Sequence, residues 1–210
     1  MPRTADPTDI PRRLADAGYA LFNEAGYNAT GIAQITERAG VPKGSFYNHF
    51  ESKEAFAASI VRLYANLVDD AWSQAEATAR AAGHTTPLAL IRAVFAAFAA
   101  HHASRDCNGC LVGNFAGEIA RASPVCQQAL DDTLQAWRLR LATLITQAQA
   151  AGEARSDLDA HTLADLFWDS WEGALLRSKI AGHIAPLTDT LSLMLDKVLP
   201  PASGNLTRAA

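Results

Sequence analysis

The chain has 210 residues, 49% of them hydrophobic and only 8% aromatic, with alanine frequent throughout. That length allows one large or two modest domains with an ample core, and small apolar side chains suit helix packed on helix. A formal net charge of −4 excludes a polyanion binder acting through bulk charge, and no apolar run approaches the roughly 18 residues that a membrane helix needs.

Residues 1–7 read as a flexible arm, polar and without the apolar core of a signal peptide, so a soluble cytoplasmic chain is expected. Leu14, Ala17, Gly18, Leu21 and Phe22 predict a first helix from about Asp9 to Ala25, ended by Gly26. Thr30 then stands as the N-cap of a second helix, in which Ile32, Ile35, Thr36 and Ala39 recur at helical spacing. Gly40 supplies the residue free to take φ > 0 that a helix end followed by a sharp turn requires. Val41 tucks into the angle, and Pro42 suits the first turn of a third helix.

That third helix, Lys43 to Phe50, is too short to persist alone and must be held by Phe46 and Phe50. Lys43, Gly44, Ser45, Tyr47, Asn48 and His49 are left to face outward or flank the contact surface. Two short helices about a glycine form a helix-turn-helix, whose second member is a candidate major-groove reader. Over residues 1–55 the basic Arg3, Arg12, Arg13, Arg38, Lys43 and Lys53 are offset by Asp6, Asp9, Asp16, Glu24, Glu37, Glu51 and Glu54. Any DNA contact must therefore come from a localised face, and Val41 to Phe50 contains a lysine and no acid.

Ser52 caps a longer helix, Lys53 to about Arg80, with Phe56, Ile60, Leu63, Leu67 and Ala71 as its expected buried stripe. After a loop ending in Pro87, Leu88 to about His102 is nearly all apolar and reads as a central helix. Asp106-Cys-Asn-Gly breaks the chain before a short helix, about Cys110 to Arg121. Ser123-Pro124 opens a long helix to about Ala151, closed by Gly152. Asp157 or Asp159 caps the next, to about Ala181, and a last helix spans about Pro186 to Leu199. With no strand-period segment and no internal repeat, the chain is all-α, with about nine helices. The expected division is 1–52 as a helix-turn-helix DNA-binding domain, 53–200 as a ligand-binding and dimerisation domain, and 201–210 as a disordered tail.

The run Leu21-Phe-Asn-Glu-Ala-Gly-Tyr-Asn-Ala-Thr30, with Ala39-Gly-Val-Pro-Lys-Gly-Ser-Phe-Tyr-Asn-His-Phe-Glu-Ser-Lys53, resembles the TetR family of bacterial transcriptional repressors. The resemblance covers about the first quarter of the chain. It implies a homodimer on a near-palindromic double-stranded DNA operator, released by an unknown small-molecule inducer, with no cofactor and no membrane. Carried over, Thr30 would hold a phosphate. Lys43, Gly44 and Ser45 would lie at base edges, Tyr47 and His49 would bond phosphates, and Lys53 would pin the DNA backbone. Asn48 stands where the family often has an aromatic residue; an asparagine there can read adenine bidentately.

The cysteines, Cys107, Cys110 and Cys126, are odd in number, which argues against a disulfide framework. Cys110 is expected at a helix N-terminus, whose unpaired N–H groups favour a thiolate. Gly109-Cys110-Leu111 leading into Gly113-Asn114-Phe115-Ala116-Gly117-Glu118 is similar to a TetR branch that includes electrophile- and oxidant-sensing repressors. Cys110 is then the sensor and Cys107 a resolving thiol. Against this stand Cys110 as a small buried hydrophobe, and a zinc set of His101, His102, Cys107 and Cys110, whose histidines precede the CxxC instead of following it.

Phe95, Phe98, Phe115, Trp137, Trp168 and Trp171 are expected to line a cavity, with Glu118, His101 and His102 as its polar groups. Leu166, Gly173, Ala174, Leu187, Leu191, Met194, Leu195 and Val198 are expected to form the dimer face. No G-x-S-x-G, P-loop or H-E-x-x-H motif supports an enzyme. The remaining rivals are a helical interaction protein and a drug-binding repressor in which Cys110 is purely structural.

Overall fold

The computed structural model describes residues 10–104 and 109–201, and among these every regular element is helical. They are α1 (Ile10–Ala29), α2 (Ile32–Ala39), α3 (Lys43–Tyr47), α4 (Lys53–Ala81), α5 (Pro87–Ala103), α6 (Leu111–Glu118), α7 (Pro124–Ala150), α8 (Ala160–Ala181) and α9 (Ala185–Leu193). The last continues as a π-helical turn, Met194–Val198. The expected arm at 1–7, Cys107, and residues 202–210 of the expected tail lie outside the described residues. No described helix is long and apolar enough to cross a membrane.

The chain divides into two compact units, residues 1–67 with 110–134 and residues 68–109 with 135–210, so that α4 and α7 each contribute to both. In the first unit, α1 is regular up to Gly26, whose φ of 81° breaks the helix where a glycine stop was expected. Leu14, Phe22, Ile35, Phe46, Phe56, Ile60 and Phe115 are fully buried there. Their rings interlock edge to face, Phe22 with Phe115 at 5.1 Å, Phe46 with Phe56 at 5.2 Å, and Phe50 with Phe56 at 4.7 Å. Gly18 lets α1 lie against α4, because a Cβ there would run into the Phe56 ring.

The buried face of α4 departs from the expected stripe. Phe56 and Ile60 are buried, but Leu67 and Ala71 are exposed, and Ala57, Ala58, Val61 and Trp72 are buried instead. A helix of 29 residues that serves two units does not keep one face inward along its whole length.

The second unit is built on an aromatic cluster in which Phe95 meets Phe167 at 4.5 Å and Trp171 at 5.0 Å. Asp159, not Asp157, caps α8, its carboxylate accepting the Thr162 N–H at 3.0 Å. Arg138 ties α7 to α8 through Asp165 at 3.4 Å and Asp169 at 2.8 Å. Within the expected dimer face, Leu166 and Gly173 are exposed, but Ala174, Leu187, Met194 and Leu195 are buried in the chain's own core. The large apolar side chains left open on α8 and α9 are Leu166, Leu176, Ile180 and Leu193, with Ile180 at 79% exposure.

Candidate nucleic-acid interface

The reading face is set by how α2 ends. Gly40, at φ 64° and ψ 38°, sends its N–H to the Glu37 carbonyl and the Val41 N–H to the Thr36 carbonyl, both at 3.0 Å. This double bond pattern satisfies two otherwise orphaned carbonyls and turns the chain sharply toward α3. Arg13 of α1 supports the turn, its guanidinium donating to the carbonyls of Ala39 and of Gly40, the latter at 2.9 Å. At the other end of α2, Gly31 has no side-chain oxygen to cap with, and Gln34 supplies half of a reciprocal cap by accepting the Gly31 N–H at 2.6 Å.

Helix α3 is five residues long, with Pro42 as its N-cap. It is shorter than the eight residues expected, because Asn48 and His49 already belong to the turn that leads into Phe50. Phe46 is fully buried and anchors it. Lys43, Gly44, Tyr47, Asn48 and His49 are exposed and Ser45 is half-buried. Among the described residues, the side chains of Lys43, Ser45, Asn48 and His49 make no hydrogen bond or ion pair, so their donors remain available to an outside partner. A Cβ built on Gly44 meets no atom within 4 Å.

Thr30 and Lys53 are differently placed. Thr30 is 1% exposed, and its hydroxyl proton goes to the Gly26 carbonyl at 2.7 Å. The expectation that it holds a phosphate is corrected accordingly: a buried hydroxyl whose one proton is committed braces the turn between α1 and α2. The Lys53 ammonium donates to the Tyr27 carbonyl at 2.7 Å and lies 3.9 Å from the centre of the Tyr27 ring. Burial lowers the Lys53 pKa, while the charges of Glu54 and Glu118 oppose that shift. The Tyr27 hydroxyl donates to Glu54 at 3.0 Å, and burial first, then this bond, pushes the phenol above its ordinary range. Ser52 caps α4 as expected, accepting the Ala55 N–H at 3.1 Å.

The residues expected to sense a ligand fall into both units. Cys110 is the N-cap of α6, 6% exposed, and accepts the Tyr64 hydroxyl across 3.8 Å. Phe115 packs on Phe22 and Tyr27 in the first unit, beneath the helix-turn-helix. Glu118 gives its carboxylate to the Asn28 N–H at 2.8 Å. Phe98, His101, Trp137, Trp168 and Trp171 belong to the second unit. Trp137 and Trp168 stack at 5.5 Å there, Phe98 is half-buried, and His101 is exposed on the last turn of α5. Phe115 and Glu118 are thus structural parts of the first unit.

The family model described as bacterial regulatory proteins, tetR family, matches residues 14–60, and that for tetracyclin repressor-like C-terminal domains matches residues 87–194. The chain belongs to the TetR family. It is 34% identical to the HTH-type transcriptional repressor DhaR of Mycobacterium sp. (strain GP1), over 92% of this chain and 94% of that one. To the repressor NemR of Escherichia coli (strain K12) it is 24% identical, over 92% and 96% respectively. The crystal structure of regulatory protein TetR from Rhodobacter sphaeroides superposes with a TM-score of 0.80 at 33% identity, covering 89% of this chain and 97% of that one.

This TetR-family chain is thus a transcriptional regulator and not an enzyme. Residues that shape its reading face were missed in sequence: Arg13, Gln34, Tyr27 and Glu54. Thr30, expected as the N-cap of α2, stands one residue before it; the cap is Gly31, and the Thr30 hydroxyl turns back to the Gly26 carbonyl, so the pairing of the cap with Gln34 carries no sequence signal. Arg13 stands 27 residues from the Gly40 carbonyl it binds, and no local pattern announces such a bond.

Proposed function

We propose that the protein is a homodimeric repressor that places two copies of α3 in successive major grooves of a near-palindromic operator. In this reading residues 1–52 form the reader and 53–200 carry ligand binding and dimerisation. Lys43, Gly44 and Ser45 meet base edges, and Tyr47 and His49 hydrogen-bond phosphates. Asn48 pairs with adenine, and the two uncommitted Lys53 protons reach the DNA backbone. What carries the reading is the outward row of unengaged donors on α3, in a stretch with no acid, anchored from behind by Phe46. The open apolar side chains of α8 and α9 supply the dimer face.

Release follows a population shift. An inducer bound in the second unit favours a dimer whose α4 helices carry the two reading helices away from the separation of about 34 Å that one DNA turn demands. A preference of about 3 kcal/mol between the two states weakens operator binding roughly a hundredfold. The buried Trp168 indole N–H meets no acceptor among the described residues, which favours an inducer with a hydrogen-bond acceptor. A second route is an electrophile or oxidant adduct at Cys110, supported by the position of the thiol at the start of α6 beside the Tyr64 hydroxyl.

Operator affinity measured by fluorescence anisotropy against salt tests the reading. Lys43→Ala is expected to cost about 1–3 kcal/mol and to flatten the salt dependence. If Lys43→Ala and Tyr47→Phe both bind as the native protein does, α3 is not the reading helix.

A further inference from the structure

Between the end of α2 and the start of α3 lie Gly40, Val41 and Pro42 alone. Their torsions aim the reading helix, and they are unequally stiff. The pyrrolidine ring locks φ of Pro42, which stands at −59°. The Val41 N–H is tied back to the Thr36 carbonyl at 3.0 Å. Gly40, at φ 64° and ψ 38°, has no Cβ to restrict it and is the soft joint of the three. Rotation about its ψ swings the Gly40 carbonyl and, with it, the chain beyond.

That carbonyl is held from outside the two helices of the motif. Arg13 Nη2 donates to the Gly40 carbonyl at 2.9 Å and also to the Ala39 carbonyl, so one nitrogen spans the peptide groups on both sides of the Gly40 Cα. A clamp on both peptides fixes φ and ψ of the residue between them. Its base is rigid, since Arg13 precedes Leu14, which is fully buried, and Ala17, Gly18 and Phe22 continue the buried face of α1. The guanidinium also sits at the C-terminal end of α2, where the helix dipole favours a cation. A second tie between the same helices, Arg38 to Glu24 at 2.7 Å, is exposed and touches neither peptide group of the joint. Surface pairs of that kind contribute little.

We propose that Arg13 is a positioning residue for sequence recognition. By pinning both peptide groups of Gly40 it fixes the angle between α2 and α3, and so the tilt at which Lys43 to Asn48 meet base edges. It does this without touching DNA. Non-specific binding is carried by charge and tolerates many poses, so it does not need a fixed joint. The inference deepens the operator reading proposed above and rests on α3 being the reader.

Anisotropy titrations of the full-length protein across a range of salt test it, with two duplexes. One is the sequence that the native protein selects from a random pool, and the other is its scrambled counterpart. Arg13→Met keeps most of the apolar stem and removes the donors. It is expected to weaken binding to the selected duplex at least tenfold and to the scrambled one less than threefold, with the salt slope unchanged. Arg13→Lys, which keeps a charged donor, recovers most of the discrimination. Glu24→Gln, which breaks only the exposed pair, binds the selected duplex within twofold of native. Equal losses on both duplexes, or a salt slope lower by about one, would make Arg13 a phosphate contact and overturn the proposal. Native discrimination in Arg13→Met, or an equal loss in Glu24→Gln, overturns it as well.

Hydrogen exchange on the DNA-free protein gives an independent reading. The Val41 amide is expected to exchange faster in Arg13→Met, with Arg13→Lys between it and the native protein. Unchanged exchange of that amide in Arg13→Lys overturns the clamp even if Arg13→Met fails to fold. A native protein that selects no duplex would sink the reading by α3 itself, while the Val41 amide would still decide whether Arg13 holds the joint.

Discussion

At Gly44 the chain forgoes roughly 1 kcal/mol of helix propensity relative to alanine, and nothing inside the protein asks for the sacrifice, since a Cβ there meets no atom within 4 Å. On the proposed function the reason lies outside, in the DNA surface that α3 would approach. Gly44→Ala is therefore expected to raise the unfolding free energy by about 0.5–1 kcal/mol while weakening operator binding at least tenfold. Denaturant melts and anisotropy titrations read the two effects separately, and a variant both more stable and tighter on DNA would refute the argument. Gly40 illustrates the opposite case, for its φ of 64° and the Arg13 nitrogen 2.8 Å from a would-be Cβ make it an internal necessity. Both glycines stand out in the sequence, but only the coordinates separate the one the fold needs from the one it merely tolerates.

Between elements, the network of Tyr27, Lys53 and Glu54 fixes α1 to α4 behind the reading face. Glu54 is held below the usual carboxylate range, first by its own backbone N–H, then by Ser52, with Tyr27 and Lys53 adding to the effect and burial opposing it. A carboxyl depressed in the folded state contributes stability that is complete above its unfolded pKa of about 4.3 and is lost as pH falls through the lower folded value. The melting temperature of the native protein should therefore exceed that of Glu54→Gln by a constant margin from pH 7 to about pH 5, and the margin should narrow as pH falls below about 4.3. A margin that does not narrow on acidification would assign the effect to packing instead of charge. Element positions were largely legible: Gly26, Gly40, Ser52 and Pro87 mark boundaries by local chemistry that needs no tertiary partner. The inward face of α4 was not, because its partners change along its length and the run of alanines satisfies several registers equally well.

At the scale of the molecule, the open apolar side chains of α8 and α9 are the surface proposed to meet a second copy. Ile180, at 79% exposure, and Leu176, at 60%, are costly to leave in water. Ile180→Asp is expected to shift the protein from dimer to monomer in sedimentation velocity and to weaken operator binding more than tenfold, since one reading helix then acts without its twin. A stable dimer with native affinity would place the interface elsewhere.

The sequence by itself determined the family, the all-helical class and the place of the helix-turn-helix, because caps, turn glycines and the spacing of Phe46 and Phe50 act over a few residues. The tertiary structure alone decided which polar groups remain available. Thr30 and Glu118 look like ligands when read along the chain, yet each is committed to a backbone group in the bracing of α1 against α2, Glu118 to an amide 90 residues away, while Lys53 spends one of its three protons in the same bracing. Hydrogen-bond capacity is finite, and whether a donor or acceptor is already spent depends on neighbours that only folding brings near.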